Sequence, residues 1–110
     1  MTVKQLIDTL ELEIVVGGDT ARTVSSGYCG DLLSWVMGRA PADSAWFTVM
    51  GNVNAVAVCI LADVACMILC ENSPLDDAAK VRAETEGVTV LRSKENAFAL
   101  AAKLAKGLTM

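Results

Sequence analysis

The sequence predicts an α/β fold: three layers, α/β/α, around a mainly parallel sheet of about five strands, in one domain over residues 1–110. Three observations predict it. From residue 23 onward, strand-like and helix-like segments alternate without interruption. Two short runs, 65–70 and 88–91, are apolar throughout, the pattern of strands covered on both faces. Hydrophobic residues make up 54% of the 110 residues, enough for one core and too many for a disordered segment.

Each element has its own signal. Thr2 caps a first helix in which Val3, Leu6, Ile7 and Leu10 recur at helical spacing. Residues 12–16 form a short strand closed by Gly17-Gly18, and residues 23–29 form the second strand. Asp31 caps a helix that closes at Gly38, ahead of Pro41. Residues 45–50 are the third strand. Residues 52–61 form a helix that is apolar almost all round, which places it under the sheet or in a subunit interface. After the strand 65–70, Ser73 caps a fourth helix with Pro74 in its first position and Gly87 at its end. Residues 88–91 are the fifth strand. Ser93 caps the last helix, which runs to Lys106-Gly107 with Ala97, Phe98, Leu100, Ala101 and Leu104 facing inward. Lys103 and Lys106 suit its C-terminal dipole.

Composition removes several function classes. The net charge is −4 and the cations are scattered, so nucleic acid is not an expected partner. Histidine is absent, and with it the commonest general base and metal ligand. Cys29, Cys59, Cys66 and Cys70 form no CxxC pair and read as thiols in a reducing cytoplasm. Cys29 stands apart because it lies in a glycine-rich segment near a helix N-terminus, a place that lowers thiol pKa. The apolar stretch 53–70 carries Asp63 in its middle. A charge at mid-bilayer costs about 2.5–3.5 kcal/mol, so this stretch reads as a buried helix and strand joined by a turn at Ala62-Asp63, with no membrane partner.

A parallel sheet gathers ligands beyond the carboxyl ends of its strands. Four segments meet there: 27–31, 51–54, 71–73 and 92–94. Gly27 and Gly30 allow a sharp turn with uncovered amides, and Tyr28 offers a face to a flat ring. Asp31, Asn52 and Asn54 line the helix starts, which favour anions. Arg92 and Lys94 can hold a phosphate from the side. Gly27, Tyr28, Gly30, Asp31, Asn52, Asn54, Arg92 and Lys94 are therefore the candidate ligand-binding residues. The segments 27–31 and 51–54 are expected to form opposite walls of one shallow pocket. The same side chains at helix starts also serve as plain N-caps.

Several segments together resemble the DRTGG domain, itself similar to the N-terminal domain of HPr kinase/phosphorylase. They are the first helix and strand, Gly17-Gly18-Asp19, and Arg22-Thr-Val24-Ser-Ser-Gly27-Tyr28. Gly30-Asp31-Leu32-Leu33, Trp46-Phe47-Thr48, the Asn52–Asn54 turn with its Ala/Val helix, and Leu91-Arg92-Ser93-Lys94 complete the match. Asp19-Thr-Ala-Arg22-Thr-Val stands here in place of a contiguous DRTGG string. Domains of this kind occur beside CBS domains in regulated pyrophosphatases and beside phosphotransacetylase, and stand-alone members near iron hydrogenases of anaerobes. The resemblance implies a regulatory or ligand-sensing role, with adenine nucleotides as one ligand class.

Two readings follow. The first is a non-catalytic sensor for a nucleotide or other small anionic metabolite. The second is an adaptor for a protein partner, redox or hydrogenase-related. An HPr kinase activity is not expected, because the chain has no G-x-x-x-x-G-K-[ST] loop to hold nucleotide phosphates. No catalytic residue, metal or cofactor is assigned. A homodimer is expected from the apolar third helix.

Overall fold

The computed structural model describes residues 1–109. Its elements are α1 (Val3–Leu10), β1 (Glu13–Val16), β2 (Ser26–Cys29), α2 (Leu33–Arg39), β3 (Ser44–Thr48), α3 (Val53–Ala62), β4 (Cys66–Leu69), α4 (Asp77–Glu86), β5 (Val90–Arg92) and α5 (Ala97–Gly107). The five strands form one sheet in the order β1-β5-β4-β3-β2. β2, β3, β4 and β5 are parallel, and β1 runs antiparallel along β5 with a register shift between Ile14 and Val16.

Residue alternation in the central strands builds two cores. Phe47, Cys66, Ile68 and Leu91 face α1 and α5, where Leu6, Leu10, Leu100 and Leu104 close the layer. Trp46, Met67, Leu69 and Val90 face the opposite way, toward Val36 of α2, Val56 and Cys59 of α3, and Ala79 and Ala83 of α4. From β2 to β5 each strand lies beside its predecessor, so right-handed crossovers put α2, α3 and α4 on one face. From α2 onward the chain changes face only after β5, where α5 returns to the side of α1. α3 lies between α2 and α4 and buries Ala55, Val56, Val58, Cys59 and Ala62. Its lack of polar residues is thus met within the domain, apart from exposed Ile60 and Leu61.

Most boundaries follow the sequence signals. Thr2 makes a capping box with Gln5. Asp63 ends α3 in the left-handed conformation, and Gly87 ends α4 at φ 72°, a backbone state that favours glycine. No helix of the described residues is long and apolar enough to cross a membrane.

Several expectations need correction. Asp31 does not cap α2: the N-cap is Leu32, without a side-chain hydrogen bond. α2 passes Gly38 and stops where Ala40 precedes Pro41, since proline disfavours helical backbone in the residue before it. Ser73 does not open α4. Its hydroxyl donates to the Cys70 carbonyl, and the chain runs on to bond Gly51 through the Asp76 amide before the helix starts. Ser93 does not cap α5 either. β5 extends to Arg92, and the Ser93 amide donates to Leu69, so the helix begins later, capped by Asn96. Phe98 faces solvent, 85% exposed, one position off the inward stripe of Ala97, Leu100, Ala101 and Leu104.

Candidate functional site

The segment 27–31 is not a turn. Gly27 lies within β2, and neither Gly27 nor Gly30 has a positive φ. Gly27 is small for a packing reason: a Cβ there would press on Leu104 at 3.1 Å and Phe47 at 3.4 Å, where α5 crosses the strand. The Gly30 amide donates to Phe47 and its carbonyl accepts from the Trp46 indole at 2.8 Å. Beyond it, the Asp31 carboxylate accepts from the Thr48 hydroxyl at 2.7 Å and the Val49 amide at 2.9 Å. The donors that an incoming anion needs here already hold the protein's own carboxylate.

An open depression of about 270 Å³ lies beside this knot, bordered by Gly30, Asp31, Val49, Cys70, Glu71 and Ala97. Cys29 borders it too, on the α5 side of β2 rather than at the start of α2. Burial, and then the charge of Asp31, push its thiol pKa upward, the reverse of the shift a helix N-terminus would give. Tyr28 packs half-buried against the α2–α4 core. Asn52 caps α3, accepting from the Ala55 amide at 2.8 Å, and Asn54 is exposed on that helix. Gly51 is fixed against the segment before α4, where a Cβ would collide with the Pro74 carbonyl. The structure therefore does not bring 51–54 opposite 27–31 as walls of one pocket. Asn52 and Asn54 border none of the depressions described here.

Arg92 and Lys94 do come together. They border a second depression, about 390 Å³, with Glu13, Asn72, Glu95 and Lys103. Its position follows from topology. The carboxyl end of β4 feeds α4 on one face, and that of β5 feeds α5 on the other. Loops that part in this way leave the crevice where ligands of open α/β sheets gather. The two loops are tied at its floor: the Glu71 amide donates to Glu95 and the Asn72 amide to Ser93. Both Glu71 and Asn72 have positive φ, a conformation less strained for asparagine than for most side chains.

Arg92 reaches across to β1. Its Nη2 donates to Glu13 at 2.6 Å, while its Nε is buried without a hydrogen-bond partner. Lys103 donates to both oxygens of Glu95 at 2.9 Å. Lys94 is exposed, with no hydrogen bond or ion pair among the described residues. Glu13, Asn72 and Lys103 were not among the sequence candidates. Glu95 lies in the loop just before α5 and Lys103 on the helix, so helical spacing did not reveal their pairing.

The chain is thus an open, mostly parallel α/β sheet with a polar crevice between the carboxyl ends of β4 and β5. The DRTGG domain family matches residues 5–106, and the chain belongs to that family. Among solved structures it is similar to the CBS and DRTGG domains of the regulatory region of a Clostridium perfringens pyrophosphatase, in complex with the activator diadenosine tetraphosphate. The TM-score is 0.73 at 11% identity, over 97% of this chain and 47% of that one, so the chain spans about half the length of that regulatory region. Comparison with curated proteins finds no match.

Proposed function

We propose that this DRTGG domain is a non-catalytic regulatory module that binds an adenine nucleotide or another anionic metabolite at the carboxyl ends of its strands. One observation carries the reading: the switch-point crevice is open and presents Arg92 and Lys94 together. The related pyrophosphatase region, which holds a nucleotide activator, supports the ligand class. The absence of histidine and of a phosphate-binding loop in the sequence supports a role without catalysis. Four free cysteines fit a reducing, cytoplasmic setting.

Thermal denaturation against nucleotides and phosphorylated metabolites tests this. A ligand at 100 times its Kd stabilises the fold by about 2.7 kcal/mol. If none of these compounds raises the midpoint, the sensor reading fails. The adaptor reading then takes its place, favoured by the outer surface of α2. Leu32, Trp35 and Met37 are exposed there, with the Arg39 guanidinium stacked 3.7 Å over the Trp35 ring.

A homodimer belongs to the same proposal, with its seam moved from α3 to β2. β2 is an edge strand without charge or proline, the kind of edge that pairs with another strand. Sedimentation at high micromolar concentration should give a dimer. A clean monomer would remove this part of the proposal and leave the ligand site untouched.

A further inference from the structure

The crevice between the β4 and β5 loops is electrically balanced in an unusual way. Three cations, Arg92, Lys94 and Lys103, border it together with three carboxylates, Glu11, Glu13 and Glu95. Two of the cations are engaged by two of the carboxylates. Both of those carboxylates are loosely held: the Glu13 side chain is 57% exposed and that of Glu95 is 40% exposed. Exposed ion pairs of this kind contribute little, so opening them costs little.

The cations are held less completely than they could be. Arg92 uses one nitrogen, Nη2, on one oxygen of Glu13. Its Nε is buried and unpartnered, so the two-bond side-on contact of guanidinium with an oxyanion is unmade. A buried N–H without an acceptor is costly, and the crevice is the open space beside this side chain. Lys94 brings a free ammonium to the same place. A doubly charged oxyanion supplies what Glu13 does not: charge shared between Nη2 of Arg92 and Lys94, and an acceptor for Nε once the guanidinium turns toward the crevice.

We infer that this crevice is the phosphate subsite of the domain, and that a phosphate or diphosphate group enters it by exchange. The anion takes Arg92 and Lys103 from Glu13 and Glu95, which rotate into water, and Lys94 completes the cradle. The inference rests on the sensor reading and names the chemistry of its ligand. It also names a response. Glu13 is the first residue of β1 and sits opposite Arg92 in the register. Releasing it loosens the start of the one antiparallel strand, next to the bulge at Ile14/Val16. Ligand binding is thereby coupled to the edge of the sheet.

The test uses inorganic pyrophosphate as probe, with ATP and adenosine in parallel, titrated by calorimetry into the whole chain. Pyrophosphate and ATP should bind and adenosine should not. Arg92→Gln and Lys94→Gln should each weaken pyrophosphate about tenfold. Glu13→Gln should tighten it severalfold, because the internal competitor is gone; a purely structural pairing of Glu13 with Arg92 predicts no gain. Amide exchange over residues 13–16 should quicken when pyrophosphate is bound. If ATP binds while pyrophosphate does not, or if Glu13→Gln leaves affinity unchanged, the exchange mechanism is wrong and the sensor reading stands. If no nucleotide or phosphorylated compound binds at all, both fall.

Discussion

Two arginines sit at opposite edges of this sheet, buried to the same degree and used in opposite ways. Arg22 leaves 28% of its side chain exposed and Arg92 leaves 25%. At the amino edge, Arg22 donates from Nε and Nη2 to Asp43, and from Nη2 to both the carbonyl and the carboxylate of Asp63. Asp43 precedes β3 and Asp63 precedes β4, and the Asp43 amide itself donates to the Asp63 carbonyl. One side chain therefore fastens the starts of three strands. Burial alone would lower the Arg22 pKa, but the hydrogen bonds and charges of Asp43 and Asp63 outweigh it and the net shift is upward. At the carboxyl edge, Arg92 makes a single contact and keeps a buried Nε without an acceptor. A saturated cation stabilises a fold. An unsaturated one beside an open crevice is available to a ligand. The first edge is built to stay, the second to respond.

The largest expected effect sharpens this contrast by attacking the amino side with pH. Cys59 and Cys66 lie near Arg22, and burial above all pushes both thiols up to about 12. In the unfolded chain they ionise near their ordinary value of 9. Between these values the unfolded state binds fewer protons, so stability is complete below about pH 9 and falls as pH rises toward 12. At pH 10 the two thiols together should remove about 3 kcal/mol relative to pH 7, and Cys70, pushed up to about 11 chiefly by burial, about 1 kcal/mol more. Urea unfolding followed by tryptophan fluorescence at both pH values checks this, and Cys59→Ala should remove about a third of the difference. Arg22, raised further by its two aspartate partners, keeps its charge throughout.

Next in size, Arg22→Ala should cost about 2 kcal/mol, since two carboxylates and a carbonyl lose one shared donor. Urea midpoints measure it. A loss below a few tenths of a kcal/mol would mean the amino edge is not clamped, and the contrast with Arg92 would disappear. Asp31→Ala should cost about 1 kcal/mol by freeing the Thr48 hydroxyl and the Val49 amide, and it should open those two donors to anions. The smallest stability effect is predicted at Arg92: Arg92→Gln should change stability by about 0.5 kcal/mol or less, the value of an exposed ion pair.

The layers of this fold were legible because the sequence states them twice, in alternation along the chain and in apolar strands such as 65–70. The helix starts were less legible for a chemical reason. Asp31, Ser73 and Ser93 are competent caps, but each side chain found a partner outside its helix: Thr48 and Val49, the Cys70 carbonyl, the Glu95 amide. Asp31 is taken by the end of a neighbouring strand, whereas Ser73 and Ser93 close local turns four residues ahead of their helices, and a capping residue type alone does not separate these uses from a cap. Phe98 failed for a similar reason, because one residue of phase decides whether a helical side chain meets the core or water. At the candidate site, Arg92 and Lys94 were visible as cations at a strand end. Glu13, 79 residues away from Arg92, was not, since an antiparallel edge strand brings it there. The Arg22 clamp was hidden likewise, its partners lying 21 and 41 residues along the chain.

The central claim is that the two arginines divide the work of stability and response. Its most direct test is thermal denaturation of wild type, Arg22→Ala and Arg92→Gln, each with and without pyrophosphate at ten times the wild-type Kd. Wild type should gain about 1.4 kcal/mol from the ligand. Arg22→Ala should start lower and gain the same amount, whereas Arg92→Gln should start near wild type and gain less than half of it. Equal ligand gains in Arg92→Gln and wild type, or a lost gain in Arg22→Ala, would contradict the division.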